Sequence, residues 1–263
     1  MSTSQSFVRG TICALSALCG TALASETDDL ARAAQNPIAA MISVPLQWNT
    51  YFDTGPQKKP LHVLNVQPVV PFKLNQDWNL ITRTILPLMS MPAFADQQQR
   101  ENGLGDMQLS LFLSPAKPLD SGWIVGAGVI TQFNTHTDAR LATGGNGLGP
   151  TVVALRSGGP WTYGALVNNV WSDGNNFLAQ PFVNYNLPDH PGTYIVSAPI
   201  ITANWEATSS QRWTVPLGLG IGQITRFGSL PVNLQLSAYY NVERPDFTSP
   251  WMMRAQLQFL FPK

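Results

Sequence analysis

The chain has 263 residues, 21 of them glycine and 21 proline, and only 11% are Asp, Glu, Lys or Arg, against about a quarter in an average soluble domain. Its 15 basic and 15 acidic side chains cancel, so no basic field draws it to phosphate backbones, and nucleic-acid binding is disfavoured. The 44% hydrophobic content nowhere gathers into a run of about 20 apolar residues past the N-terminus, which argues against a helical membrane span.

The first segment reads as an export signal. Arg9 supplies a positive start, Gly10 to Leu23 is apolar, and Ala22-Leu23-Ala24 is a small-x-small cleavage site before the polar Ser25-Glu26-Thr27-Asp28-Asp29. Residues 1–24 are therefore expected to be a cleaved signal peptide, with 25–40 an N-terminal periplasmic segment. Both cysteines, Cys13 and Cys19, fall inside the signal. A mature chain without cysteine excludes disulfides, thiolate nucleophiles and Cys-ligated metals.

From Ile42 onward the apolar residues alternate. Ile42, Val44, Leu46, Trp48, Thr50 and Phe52 share one parity, and Ser43, Pro45, Gln47, Asn49, Tyr51 and Asp53 the other. Near the C-terminus Trp251, Met253, Ala255, Leu257, Phe259 and Phe261 alternate with Met252, Arg254, Gln256, Gln258 and Leu260. Period two marks a strand with one apolar and one polar face, and these runs have the length that tilted strands need to cross a bilayer, about 9 to 11 residues. The whole chain gives twelve such segments, at 41–53, 62–73, 77–89, 105–114, 122–134, 148–157, 161–172, 177–187, 193–205, 212–225, 230–243 and 250–262. An even number, with short turns alternating with longer loops such as Ser90 to Leu104 and Thr135 to Gly147, predicts an all-β, antiparallel transmembrane barrel of about 12 strands over residues 41–263. Both termini then lie in the periplasm, and the barrel belongs in a bacterial outer membrane.

Tryptophan placement gives a separate test. Trp78, Trp123 and Trp161 begin ascending segments, while Trp171, Trp205, Trp213 and Trp251 fall at predicted outer ends; only Trp48 lies deeper along its strand. Indole favours a membrane interface because its ring is apolar and its N–H needs a polar partner, so these seven are candidate interface residues. Proline resists the pattern. Pro45, Pro68, Pro71, Pro87, Pro181, Pro199 and Pro216 lie within proposed strands without a ladder donor, which predicts bulges or unpaired stretches, with the register expected to shift near Pro68 and Pro181.

The segments Leu64 to Phe72 (LNVQPVVPF), Trp78 to Thr84 (WNLITRT), Gly103-Leu104-Gly105-Asp106 with Ser114-Pro115-Ala116-Lys117, Gly159 to Leu166 (GPWTYGAL), Gln180 to Tyr185 (QPFVNY) and the ending Leu260-Phe261-Pro262-Lys263 form a recognisable set. Together they resemble a proteobacterial outer-membrane transporter family related to the barrel family named for the meta-cleavage pathway of phenol degradation. The resemblance spans nearly the whole mature chain. It implies a barrel and a transport role, without a defined substrate or catalytic residues. The terminal aromatic that outer-membrane families often carry is here Phe261, followed by two further residues.

Chemistry-bearing clusters are sparse. His62, His136 and His190 are isolated, without metal-ligand spacing, so neither a metal nor another cofactor is expected. His136 lies near the rim where a barrel lipase would place its base, but no His-x-Ser-Asn-Gly-like cluster accompanies it, and the protein is expected not to be an enzyme. The informative set is the parity opposite to the lipid face. Gln47, Asn49, Asn65, Gln67, Arg83, Asp106, Gln108, Ser110, Asn184, Arg254, Gln256 and Gln258 are the candidate lumen or solute-lining residues, with Asn233 and Gln235 of the same parity. Either they hydrate a pathway or they plug it, for instance with Arg83 or Arg254 paired to Asp106. The expectation is a monomeric barrel in contact with outer-membrane lipid that passively passes a small solute, apolar or aromatic ones included. The alternatives are a closed structural or adhesive barrel with partner-binding outer loops, or a hydrolase at the rim.

Overall fold

The computed structural model of the chain describes residues 27–95 and 98–262. The expected signal peptide, with Cys13 and Cys19, lies outside the described residues. Fifteen strands follow in order: β1 (Ile42–Thr54), β2 (Lys59–Val66), β3 (Val69–Lys73), β4 (Trp78–Met91), β5 (Glu101–Leu104), β6 (Met107–Pro115), β7 (Trp123–Phe133), β8 (Gly147–Gly158), β9 (Trp161–Trp171), β10 (Asn175–Asn186), β11 (Thr193–Ser197), β12 (Ile201–Asn204), β13 (Trp213–Phe227), β14 (Leu230–Glu243) and β15 (Trp251–Phe261). Neighbours pair antiparallel, β1 with β15, and the pairing of β9 with β10 closes the ring. Three staves consist of two strands each, β2 with β3, β5 with β6 and β11 with β12. The molecule is therefore a closed barrel of 12 antiparallel staves.

Alternation sets the wall. Along β15, Trp251, Met253 and Ala255 are exposed on the outside while Met252, Arg254, Gln258 and Leu260 are buried. Along β1, Trp48 faces out with its indole Nε1 donating to Thr50 Oγ1 at 3.0 Å, whereas Ser43, Gln47 and Asn49 are buried inside. An arginine turned to lipid at mid-depth would cost about 2–4 kcal/mol, which fixes the register of β15 with Arg254 inward.

Two of the breaks correct the expectation of continuous strands at 62–73 and 193–205; the third, at Gly105-Asp106, stands at the start of the segment expected at 105–114, which β6 otherwise fills. Between β10 and its neighbours, pairing stops at Val183↔Ser197 and resumes at Ala179↔Ile201. Pro181 and Pro199 fall in that gap, and neither has an N–H to give. Lumen side chains satisfy the freed backbone: Arg254 Nη1 donates to Ala198 O at 3.2 Å, and the Ala198 N–H donates to Tyr239 Oη at 3.3 Å. At Pro68 the connection survives through carbonyls, with the Thr84 N–H donating to Pro68 O at 3.0 Å. The connection expected from Ser90 to Leu104 is shorter, because Met91 pairs with Glu101 and the β4–β5 ladder continues outward.

The N-terminal segment is part of the barrel interior. Residues 27–34 are helical. Asp28 and Asp29 suit the positive end of a helix, and the Leu-Ala-Arg-Ala-Ala run has high helix propensity, until Asn36-Pro37 ends it with Asn36 Oδ1 accepting from the Ile38 N–H at 2.9 Å. The helix is tied to the turn end of the barrel. Arg32 Nη2 donates to Gly159 O at 2.6 Å, Gln35 Nε2 to Asn186 Oδ1 at 2.8 Å, and the Gly192 N–H to Asp28 Oδ1 at 3.3 Å. Leu30, Ala31, Ala39 and Met41 pack on Ile224 and Leu260, and Ile38 enters a cluster with Val69, Ile81, Phe112, Leu155 and Phe182. Burying Ile38, 2% exposed, contributes roughly 1.5–3 kcal/mol to holding the segment there. The short turns and this segment share one end, the periplasmic one by the short-turn rule.

Candidate solute-binding lumen

The interior has two unlike walls. On one side, β1, β2, β4, β14 and β15 supply amides and two arginines linked in a chain. Gln47 Nε2 donates to Gln256 Oε1 at 3.0 Å, Gln67 Nε2 to Gln47 Oε1 at 3.2 Å, and Arg83 Nη2 to Gln67 Oε1 at 2.8 Å. Arg254 Nε donates to Asn49 Oδ1 at 3.0 Å, and its guanidinium lies 5.3 Å from the Tyr239 ring centre. Gln258 Oε1 accepts from Asn233 Nδ2 at 3.1 Å, and Asn233 Oδ1 accepts from Tyr194 Oη at 2.8 Å. Asn65 shares this face opposite Gln47, and Ser110, buried, lies opposite Arg83.

The other wall is apolar. Val69, Ile81, Phe112, Val153, Leu155, Leu166, Phe182 and Val196 are buried inside the ring around Ile38. Parity reasoning placed polar residues in the lumen and missed this half. The available signal was the run Val152-Val153-Ala154-Leu155, apolar on both faces of one strand, as in a strand buried on both sides. A cavity of about 130 Å³ lies between the walls, with Gln35, Asn36 and Pro37 of the N-terminal segment at one side and Arg83, Arg254, Gln256 and Asn184 among its lining. Asn184, buried, also donates to Thr162 O at 3.4 Å. Toward the outer end a second space of about 380 Å³ is lined by Gln108, Gln132, Asn168, Asn176, Phe177 and Arg212.

Asp106 departs from its expected place. It lies in the break between β5 and β6 near the outer rim, where it organises the loop after β7 rather than facing Arg83 or Arg254. Its Oδ1 accepts from His136 Nδ1 at 2.6 Å and from the Thr135 and His136 N–H groups, each at 3.3 Å. Its Oδ2 accepts from the Thr143 N–H at 2.6 Å, Thr143 Oγ1 at 3.2 Å and the Gly145 N–H at 3.3 Å. Burial alone would raise this carboxyl, but the donors from Thr143, His136 and Gly145 prevail and hold it down at about 2. Carboxylate and imidazole form two members of a hydrolytic triad, yet no seryl hydroxyl is hydrogen-bonded to His136 among the described residues, and none of them forms a cluster able to hold a metal.

The seven interface candidates stand at strand ends. Trp78, Trp123 and Trp161 begin β4, β7 and β9 at the turn end, and Trp171, Trp205, Trp213 and Trp251 lie at the loop end. They cluster: Trp205 and Trp213 meet edge to face at 5.4 Å between centres, and Trp205 Nε1 donates to Asn169 Oδ1 at 2.9 Å. Among the described residues no helix is long and apolar enough to cross a membrane, and the outward faces of the strands carry the apolar surface instead.

No family model and no curated protein matches the chain. Solved structures do. An outer membrane channel from Pseudomonas putida F1 superposes with a TM-score of 0.62 at 17% identity, over 86% of this chain and 97% of that one. The NanC porin gives 0.53 at 10% identity over 84% and 100%. The outer membrane phospholipase A from Escherichia coli gives 0.50 at 11% identity over 84% and 92%. At these identities the shared property is the fold. With its closed ring, apolar outer face and aromatic strand ends, the protein is an outer-membrane β-barrel.

Proposed function

We propose that this barrel is a channel for passive passage of small solutes with apolar or aromatic parts, acting as a monomer. The observation that carries the reading is the two-walled lumen. An amide and guanidinium wall faces an apolar one across an internal cavity, so a solute can keep hydrogen bonds on one side and dispersion contacts on the other. Residues 27–40 cross the periplasmic end, so passage requires this segment to shift. The same segment favours the second reading, a closed barrel whose ordered outer loops bind a partner.

Reconstitution separates them. Proteoliposomes with lipopolysaccharide in the outer leaflet should take up labelled benzamide faster than protein-free vesicles. The protein should also conduct ions in planar bilayers, more when residues 27–40 are deleted. Absence of flux and of current in both forms would establish the closed barrel instead.

A further inference from the structure

We propose that the internal cavity is an anion site, built to hold the carboxylate of a small aromatic or aliphatic acid between Arg83 and Arg254. The inference deepens the channel reading and rests on it, since it names the chemical class that the lumen receives.

The argument starts from where the charges lie. The chain is neutral overall, but its described carboxylates sit in turns and loops, as with Asp173, in the N-terminal segment, or at the ends of strands, as with Asp53, Glu101 and Glu243. Arg83 and Arg254 lie within β4 and β15, five and three residues from the nearer strand end, and line the same cavity. Neither has a carboxylate within 4.0 Å among the described residues, where the ion pairs are His136–Asp106, Arg140–Glu101 and Arg140–Asp138. Two like charges in a space shielded from bulk water are a costly arrangement unless an anion joins them.

The hydrogen-bond inventory agrees. A guanidinium has five N–H donors. Arg83 uses Nη2 on Gln67, and Arg254 uses Nε on Asn49 and Nη1 on Ala198 O, which leaves donors of both side chains for an incoming acceptor. Their present acceptors are all neutral oxygens, weaker partners than a carboxylate. Across the cavity Leu166, Phe182 and Val196 offer an apolar surface for the remainder of the acid. The volume of about 130 Å³ suits a single ring or short chain, not a lipid.

Benzoate and benzamide differ in charge but hardly in shape, so they isolate the head-group term. Equilibrium dialysis of the full chain in detergent should show benzoate binding at least tenfold tighter than benzamide. Arg83→Gln should lower benzoate affinity about tenfold and benzamide affinity far less, so that the preference for benzoate is lost, whereas Arg83→Lys should restore most of that preference. Heat-modifiable migration on gels confirms that each variant has folded. Arg83 is the chosen position because Arg254 also closes the wall at Ala198.

The outcomes are distinct. Equal binding of the two solutes, or a benzoate preference that survives Arg83→Gln, overturns the anion site, and the channel reading stands if benzamide still crosses the membrane. A benzoate preference lost in Arg83→Gln and regained in Arg83→Lys supports the site, even where neither solute crosses and the channel reading alone fails.

Discussion

Replacing Asp106 by Asn should loosen the outer loop of residues 134–146 while leaving the barrel closed. The carboxylate accepts from the N–H groups of Thr135, His136, Thr143 and Gly145, from His136 Nδ1 and from Thr143 Oγ1, and its side chain has no solvent exposure. Its ionisation falls from 3.8 to about 2, and each unit of such a shift is worth about 1.4 kcal/mol, so the charge contributes about 2 kcal/mol to the ordered loop. Asparagine loses that term and also points an NH₂ at groups that are themselves donors, adding about 1–3 kcal/mol for an unmet partner. Because the folded ionisation lies below the unfolded one, the contribution is complete above about pH 4 and is lost as pH falls through about 2. Limited proteolysis of vesicle-embedded protein between pH 2 and 7, using an acid-stable protease at the low end, reads this directly. The native loop should resist cleavage at pH 5 and yield near pH 2, and Asp106→Asn should be cleaved throughout. A variant as resistant as the native protein at pH 5 would refute the latch.

Two more substitutions test the wall. Gly222 lies opposite Tyr194, and a Cβ there would stand 2.1 Å from the tyrosine Cζ, so Gly222→Ala should cost about 1–3 kcal/mol in denaturant unfolding from vesicles, relieved in the double variant with Tyr194→Ala. Gly158, with nothing near its missing Cβ, is the control, and an equal loss at both positions would count against the packing argument. Leu219→Arg should cost about 2–4 kcal/mol by the same measurement, since Leu219 is 65% exposed on the outer face of β13; no loss would place that face out of the lipid.

The barrel was legible because lipid outside and side chains inside impose a period of two on every crossing strand, and β1, β14 and β15 carry that period almost without exception. What period two cannot encode is the chemistry of the inner face. In β8 the inward parity places Val153 and Leu155 between Thr151 and Ser157, so the middle of the strand is apolar inward and outward alike, and only packing with Phe112 and Ile38 distinguishes the sides there. Ile38 itself precedes the first strand, where a short segment with a few buried residues has no periodicity long enough to read. Asp106 has the lumen parity, but its partners come from residues 135–145, beyond the reach of any local pattern. The strand breaks were foreshadowed by proline, whereas their positions depended on which prolines face each other across a ladder, as Pro181 and Pro199 do.

Those breaks also sort the polar residues by purpose. A gap in a membrane-spanning sheet leaves backbone groups that lipid cannot satisfy, so the lumen must supply their partners. Arg254 and Tyr239 do so at Ala198, and an apolar residue at either position would strand a carbonyl or an N–H within the wall. Their polarity is therefore required by the sheet, whatever the lumen carries. Arg83 makes no such repair. Its acceptor is Gln67 Oε1, and Gln67 in turn donates to Gln47, so the chain from β1 to β4 is made of side chains alone. A neutral amide at position 83 could have completed the same chain without placing a second positive charge in the cavity that Arg254 lines. The fold gives no reason for that charge, which makes Arg83 the residue at which the solute's chemistry is to be read.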